Sequence, residues 1–122
     1  MLNISTKQLP PDITVVEVRG AVTLGRESKR VEWQIEDLLK ANQKKVIFDL
    51  SGVTHLDSSG IGALVMCAGL MKRSGGELRV ANPAEIVEKL MTMTQVGQVL
   101  KSYPTVEEAA QDFSVAGGAP SA

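Results

Sequence analysis

The chain has 122 residues and a formal net charge of −1 at neutral pH, with 43% hydrophobic and 22% charged residues. This length is typical of one compact domain, and the balanced charge excludes the basic surface that nucleic acids or anionic membranes require. A single cysteine, Cys67, and a single histidine, His55, exclude an internal disulfide and a zinc site, and they favour a reducing, cytoplasmic compartment. We expect no membrane span, because no apolar run reaches about 20 residues, and no signal peptide, because the N-terminal residues lack a cationic region followed by an apolar core.

The first third of the chain predicts a hairpin followed by a helix. Residues 2–7 alternate weakly, and the turn residues 10–12 separate them from the β-branched run 13–19, which Gly20 closes. From residue 26 to residue 41 the apolar side chains recur at helical spacing. We therefore expect an edge strand, a second strand and an amphipathic helix.

The middle of the chain repeats the alternation of strand and helix. Residues 45–50 predict a central strand, and Ser51-Gly52 are typical of a turn. An apolar helix then runs from Asp57 to about Arg73, and the glycines that follow it stop it. Residues 77–81 predict another short strand.

The last third predicts two more helices and a strand between them. Residues 82–85 read as an N-cap (Asn82), a proline at the first helical position and a glutamate at the third, so a helix should open there and reach about Met93. Residues 99–103 predict a strand, and 105–113 predict a terminal helix that Thr105 caps. The small and polar residues 114–122 should form a flexible tail.

These elements define an α/β fold in one domain spanning residues 1–113. Strands and helices alternate after the first hairpin, which favours right-handed crossovers between parallel strands. The prediction is a mixed, mostly parallel sheet of about five strands with about four helices packed on it.

The segment 56–62, Leu-Asp-Ser-Ser-Gly-Ile-Gly, carries the clearest local signal. It joins a strand to a helix, so Asp57 or Ser58 should cap the helix while small residues leave the backbone accessible at its N-terminus. From spacing alone, an acidic cap followed by small first-turn residues explains the segment without any further function.

Known enzyme motifs fit this segment poorly. Ser58 lacks the leading glycine of a nucleophile elbow, because position 56 is Leu. Residues 60–62 lack the third glycine of a dinucleotide-binding loop, because position 65 is Val. His55 is expected to be a solvent-facing loop histidine rather than a general base.

A phosphate-accepting Asp57 is the enzyme-like alternative. A carboxylate at the carboxyl edge of such a sheet could accept a phosphoryl group with the help of a metal held by further carboxylates. The end of the preceding strand, residues 18–20, supplies no acidic side chain, so the sequence favours other readings and predicts no metal or cofactor.

Three segments together resemble the STAS domain family, specifically stand-alone bacterial anti-sigma factor antagonists: residues 46–53, 56–64 and 75–78. The resemblance implies that Ser58, beside Asp57 and Ser59, is phosphorylated by a partner kinase of the histidine-kinase-like ATPase type, which is also an anti-sigma factor. The unphosphorylated protein then binds the anti-sigma factor and frees sigma factor, whereas the phosphorylated protein lets go until a phosphatase restores it.

One feature departs from the family pattern. Members commonly carry acidic residues after the glycine that ends the second strand, whereas this chain has Ala21-Val22-Thr23 after Gly20. A stressosome-like scaffold role, or a place in another phosphorelay, is therefore the alternative within the family.

The helix after the motif is apolar on two sides, and the second side, with Ala63, Met66 and Leu70, indicates either a partner surface beside Ser58 or burial under a loop. Ile61, Leu64, Val65 and Ala68 form the stripe that should face the sheet, and Cys67 should be a half-buried, inert thiol between the two sides. Trp33 should be exposed on the first helix as a further contact. The predicted partner-binding residues are Asp57, Ser58, Ser59, Gly60, Ala63, Met66, Leu70 and Trp33.

Overall fold

The computed structural model describes residues 2–10, 12–23, 26–94, 100–111 and 113, with the backbone alone for 26–28. No helix among these residues is long and apolar enough to cross a membrane. In chain order the elements are β1 (Leu2–Leu9), β2 (Ile13–Val22), α1 (Arg26–Lys40), β3 (Lys45–Leu56), α2 (Ser58–Arg73), β4 (Glu77–Ala81), α3 (Glu85–Thr94), β5 (Lys101–Tyr103) and α4 (Val106–Ala110).

The described strands form one sheet in the order β1-β2-β3-β4-β5. β1 pairs with β2 in an antiparallel hairpin, and each following pair of strands is parallel. Parallel neighbours need a crossover connection, and α1, α2 and α3 lie in the three crossovers. The predicted α/β fold with a mixed, mostly parallel sheet is therefore confirmed.

One face of the sheet is covered by α1, α2 and α3, and the main core lies there. Val16 and Val18 of β2 and Phe48 and Leu50 of β3 point to this face, because alternate side chains of a strand share a side. The helices contribute the buried side chains Val31, Ile35, Leu64, Cys67, Val87 and Met91. α2 contacts both α1 and α3 in this layer of helices.

The opposite face is partly covered by α4 and Phe113. Ile47 is buried beneath them, in a smaller apolar cluster. Arg79 of β4 ties this segment to the sheet, since its Nη1 donates to the carbonyl oxygens of Ala109 and Gln111 at 2.9 and 3.0 Å. The guanidinium carbon also lies 4.2 Å from the centre of the Phe113 ring.

β2 and β3 are longer than the sequence predicted. Gly20 does not end β2 but lies within it, with φ of 101°, at an irregularity in the β2–β3 register. The turn predicted at Ser51-Gly52 is wrong, because β3 continues to Leu56 along the extended end of β2. A Cβ on Gly52 would lie 2.6 Å from Cγ of Arg19, so the glycine permits close strand packing rather than a turn.

The start of α3 also differs from the prediction. Asn82 is not the cap, because it has a left-handed backbone (φ 49°) and its N–H donates to the carbonyl oxygen of Tyr103 at 3.1 Å. The helix begins at Glu85, and the carbonyl oxygen of Ala84 accepts its first hydrogen bonds. A cap residue needs an extended backbone, so Asn82 cannot serve as one.

The C-terminal elements are shorter than predicted. β5 begins at Lys101, and Val99 lies outside the described residues. Thr105 caps α4 as predicted, accepting the N–H of Glu108 at 3.0 Å, but the helix ends at Ala110 and Phe113 is buried beyond it. The predicted tail, residues 114–122, also lies outside the described residues.

Candidate functional site

The segment 56–62 lies at the carboxyl edge of the sheet, where β3 ends and α2 begins. Asp57 has an extended backbone (φ −119°, ψ −174°), and its Oδ1 accepts the N–H of Gly60 at 2.9 Å. Its carbonyl oxygen accepts the N–H of Ile61 at 3.0 Å, which begins the hydrogen bonding of the helix. Of the two candidate caps, Asp57 rather than Ser58 therefore caps α2.

Gly60 allows the first turn of α2 to approach the ends of the strands closely. It is buried, and a Cβ placed on it would collide with the carbonyl oxygen of Val22 and would lie 2.6 Å from Cδ1 of Leu56. The first turn of α2 therefore rests directly on the ends of β2 and β3. The sequence motif showed the glycine but not this reason for it, which requires the position of β2.

The electrostatics of the turn favour an added negative charge. The first turn of α2 holds no acidic residue, while Lys72 and Arg73 lie in its last turn. The N-terminus of a helix carries a partial positive charge and N–H groups that favour anions. The Asp57 carboxylate at the cap already interacts with this partial positive charge, and Ser58 is the next residue along the chain.

Three exposed residues follow one another along the outer side of α2: Ser58, Gly62 and Met66. We call them the α2 stripe, since residues four apart lie on one side of a helix. Met66 is 50% exposed, and nothing lies within 4 Å of the position a Cβ on Gly62 would take. On this stripe, the exposed Ser58 and the exposed apolar side chain of Met66 are separated by the open position at Gly62.

The other predicted surface residues of α2 are less accessible. Ser59 and Leu70 are half-buried, and Leu70 packs against the main core. The expectation that Ala63 shares the exposed side with Met66 is wrong, because Ala63 is 3% exposed. α1 packs against α2, a contact between neighbouring helices that the sequence did not reveal.

Cys67 shows how closely α1 packs. The predicted half-buried thiol is fully buried, with its Sγ 3.9 Å from the carbonyl oxygen of Val31. Burial raises the pKa of the Cys67 thiol to about 12, and the nearby carboxylates of Glu32 and Glu36 add to the effect. Cys67 is therefore a neutral, inert core residue, in keeping with the predicted inertness.

Trp33 is exposed as predicted, with 54% of its side chain accessible. It lies two positions from the buried Val31 and Ile35 of α1, so it projects away from their side of the helix. Trp33 thus stands on a different helix from the α2 stripe.

The remaining polar groups near the motif do not form a catalytic centre with it. His55 is exposed and lies in β3 rather than in a loop, with its Nδ1 3.0 Å from Oγ1 of Thr54. Within the described part of the chain, no three His, Cys, Asp or Glu side chains are grouped so that they could hold a metal ion. Asp57 thus fits a helix cap better than a metal-dependent phosphate acceptor.

Solved structures share this fold. A crystal structure of a Thermotoga maritima protein, provisionally named an anti-sigma factor antagonist, matches with a TM-score of 0.81 at 23% identity, covering 90% of this chain and 93% of the other. The Bacillus anti-sigma factor antagonist SpoIIAA matches in its unphosphorylated and phosphorylated forms, each with a TM-score of 0.67. The identities are 16% and 17%, and the matches cover 88% of this chain and 94% and 96% of SpoIIAA.

Sequence comparison agrees with the structural one. A Thermotoga maritima protein with the same provisional name is 28% identical over 81 residues, which are 66% of this chain and 72% of the relative. The profile of the STAS domain family matches residues 4–109, from β1 into α4. Because this match spans most of the chain and nearly every element of the fold, the chain belongs to the STAS domain family.

Proposed function

We propose that this chain is an anti-sigma factor antagonist, a regulator rather than an enzyme, and that phosphorylation of Ser58 controls its binding to an anti-sigma factor. The observation that carries the proposal is the exposed Ser58 in the first turn of α2, directly after the Asp57 cap. The names of the relatives support the antagonist role, and the phosphorylated SpoIIAA structure supports control by phosphate.

The cap geometry suits a kinase substrate. Asp57 holds the first turn through Gly60, so Ser58 is not needed to cap the helix. Its side chain is exposed and remains available to an enzyme in the cytoplasm. The partner is a serine kinase of the histidine-kinase-like ATPase type that also acts as the anti-sigma factor, and a phosphatase reverses the modification.

The fold should tolerate phosphate at Ser58. A phosphoserine carries about −1.5 to −2 charges at neutral pH, and a helix N-terminus is a favourable place for an anion. Ser58 is exposed, so the phosphate needs no room in the core. The modification should therefore change the surface and leave the fold intact.

Binding is what should change. The Asp57 carboxylate already places a negative charge beside Ser58, and a phosphate would add a larger one at the start of the α2 stripe. A partner that places a carboxylate or an apolar side chain against this turn would lose affinity through repulsion and desolvation. Unphosphorylated protein binds, and phosphorylated protein dissociates.

The partner surface runs along the α2 stripe. Ser58 stands at one end and Met66, half exposed, at the other, with the open position of Gly62 between them. Leu70 extends the apolar part, and Trp33 on α1 is a second anchor. Asp57, Ser59 and Gly60 form the turn on which the partner rests, while the buried Ala63 supports the surface from beneath.

The test recovers tagged protein from the native cell and identifies both its partners and its phosphorylation sites by mass spectrometry. The wild-type protein should carry phosphate on Ser58, and its unphosphorylated fraction should retain a protein with a kinase-type ATPase domain. Ser58→Ala should retain more of this partner than wild type, since it cannot be phosphorylated.

Ser74→Ala is the matched control, because it removes a hydroxyl at the other end of α2, outside the proposed partner surface, and keeps Ser58. It should behave as wild type in both partner recovery and phosphate content. Phosphate found on Ser59 or Thr54 instead of Ser58 would refute the assigned site. Recovery that is indifferent to Ser58→Ala would favour a scaffold role for this chain.

A further inference from the structure

A cleft of about 500 Å³ opens at the carboxyl ends of β4 and β5. None of the lining residues that the structure describes belongs to the proposed switch. Its walls come from three strands: Ser51 of β3, Asn82 and Pro83 after β4, and Tyr103 and Pro104 at the end of β5. Glu88 of α3 completes the rim. The volume is within the range of small-molecule sites.

The topology explains why a cleft forms here. β4 leads into α3, which packs in the main core, whereas β5 leads into α4, which packs on the opposite face. The connections after these two parallel neighbours therefore diverge to opposite sides of the sheet. In open α/β sheets this kind of divergence creates the crevice in which ligands bind.

The backbone of the cleft offers few hydrogen-bond donors. The N–H of Ser51 donates to Oδ1 of Asp49 at 3.1 Å, and that of Asn82 donates to the carbonyl oxygen of Tyr103 at 3.1 Å. The N–H of Ala84 is directed at the carbonyl oxygen of Leu50 at 3.4 Å. The prolines of the two loops have no N–H at all.

This pattern is the opposite of a phosphate site. Phosphate-binding crevices use free N–H groups of glycine-rich loops and an unneutralised helix N-terminus. Here the first turn of α3 carries Glu85 and Glu88, and none of the cleft-lining side chains that the structure describes is basic. Among these described side chains only Glu88 carries a charge, and the hydroxyls and the amide can accept hydrogen bonds as well as donate them, so the cleft suits a cation better than an anion.

We infer that this cleft binds the guanidinium group of a small organic cation. Glu88 supplies the opposite charge, the oxygens of Ser51 and Asn82 accept hydrogen bonds, and Tyr103 and the two prolines form an apolar wall. This site is separate from Ser58, and the inference does not depend on the proposed function.

One cation already lies near the cleft, and its charge is paired. Arg79 lies over the Tyr103 ring, with its guanidinium carbon 5.3 Å from the ring centre. Its Nε donates to Oε2 of Glu77 at 2.8 Å, and its Nη1 is directed at carbonyl oxygens of the α4 segment. The positive charge of Arg79 is therefore met by Glu77 and leaves Glu88 to act on a ligand.

The test titrates ¹⁵N-labelled protein with n-propylguanidinium chloride and follows the backbone signals by NMR. Saturable shifts are expected at Ser51, Asn82 and Tyr103, with a dissociation constant on the order of 1 mM for so small a ligand. n-Propylurea has nearly the same shape without the charge, and it should bind at least fivefold more weakly. Glu88→Gln should weaken binding of the cation to a similar extent.

Glu85→Gln is the matched control, since it removes a carboxylate from the same turn of α3 but not from the cleft. It should leave the dissociation constant unchanged. Shifts that do not saturate, equal binding of n-propylurea, or equal loss in Glu85→Gln and Glu88→Gln would each overturn the inference. Saturable shifts with inorganic phosphate at the same residues would overturn it as well.

Discussion

Gly60 of α2 lies so close to the carbonyl oxygen of Val22 in β2 that no side chain fits between them. We therefore expect Gly60→Ala to lower the free energy of unfolding by about 1–3 kcal/mol, because the helix must shift away from the sheet. Gly62→Ala is the control in the same helix, and with open space around it the change should stabilise the protein by about 0.5–1 kcal/mol. Urea unfolding measures both, and equal effects would contradict the packing role of Gly60.

Asp57 has two separable roles in this turn. Asp57→Ala removes the bond to the N–H of Gly60 and should cost about 0.5–2 kcal/mol of stability by urea unfolding. Asp57→Asn keeps an acceptor for the cap but removes the charge, so stability should change by about 0.5 kcal/mol at most. In the proposed switch, phosphorylated Asp57→Asn should also retain more partner than phosphorylated wild type. Equal stability loss in both variants would show that charge, not capping, is what the turn requires.

Ser58→Asp should imitate the released state. A carboxylate beside Asp57 reproduces part of the charge of phosphate, so affinity for the partner should fall at least about tenfold, or 1.4 kcal/mol. Calorimetric titration against the recovered partner is the measurement. Ser74→Asp places the same change at the other end of α2 and should leave the affinity unchanged. An unaltered affinity for Ser58→Asp with an intact fold would remove this turn from the interface.

Local patterns predicted the elements well where the determining contacts are close in sequence. The alternation after the hairpin predicted the parallel sheet, and Asp57 and Thr105 were both identified as caps or candidate caps. Each of these features depends on residues within one turn or one strand. The sequence therefore contains what is needed to recognise them.

The errors arose where a distant element decides the outcome. Ser51-Gly52 has turn chemistry, but pairing with β2 keeps it in β3. Asn82 has cap chemistry, but its bond to Tyr103 holds it in a left-handed conformation. Ala63 lies on the second apolar side of α2 and is nevertheless buried, and α1 packs against this helix. Spacing shows that a helix has two apolar sides but not which of them a neighbouring helix covers.

The buried thiol of Cys67 should make the free energy of unfolding fall as pH rises through the alkaline range. Its pKa is raised from 9.0 to about 12 in the folded state, so the unfolded chain loses the thiol proton first as pH rises. The contribution of the neutral thiol is fully present below pH 9 and is lost progressively as pH rises from there toward 12. Urea unfolding between pH 8 and 10.5 should show a steeper loss for wild type than for Cys67→Ala. Parallel curves for the two proteins would contradict the raised pKa.

Met66 tests whether the outer side of α2 binds a partner or merely carries an exposed residue. Met66→Lys should leave the free energy of unfolding within about 0.5 kcal/mol of wild type, because half of the side chain is already accessible. Partner affinity should nevertheless fall, since a charge would enter the apolar part of the α2 stripe.

Met71→Lys is the matched contrast, because Met71 is fully buried on the same helix and a lysine there should unfold the domain. If Met66→Lys also unfolds the domain, Met66 belongs to the core. If Met66→Lys folds and binds the partner as wild type does, Met66 lies outside the interface, and Trp33→Ala then tests the second proposed anchor.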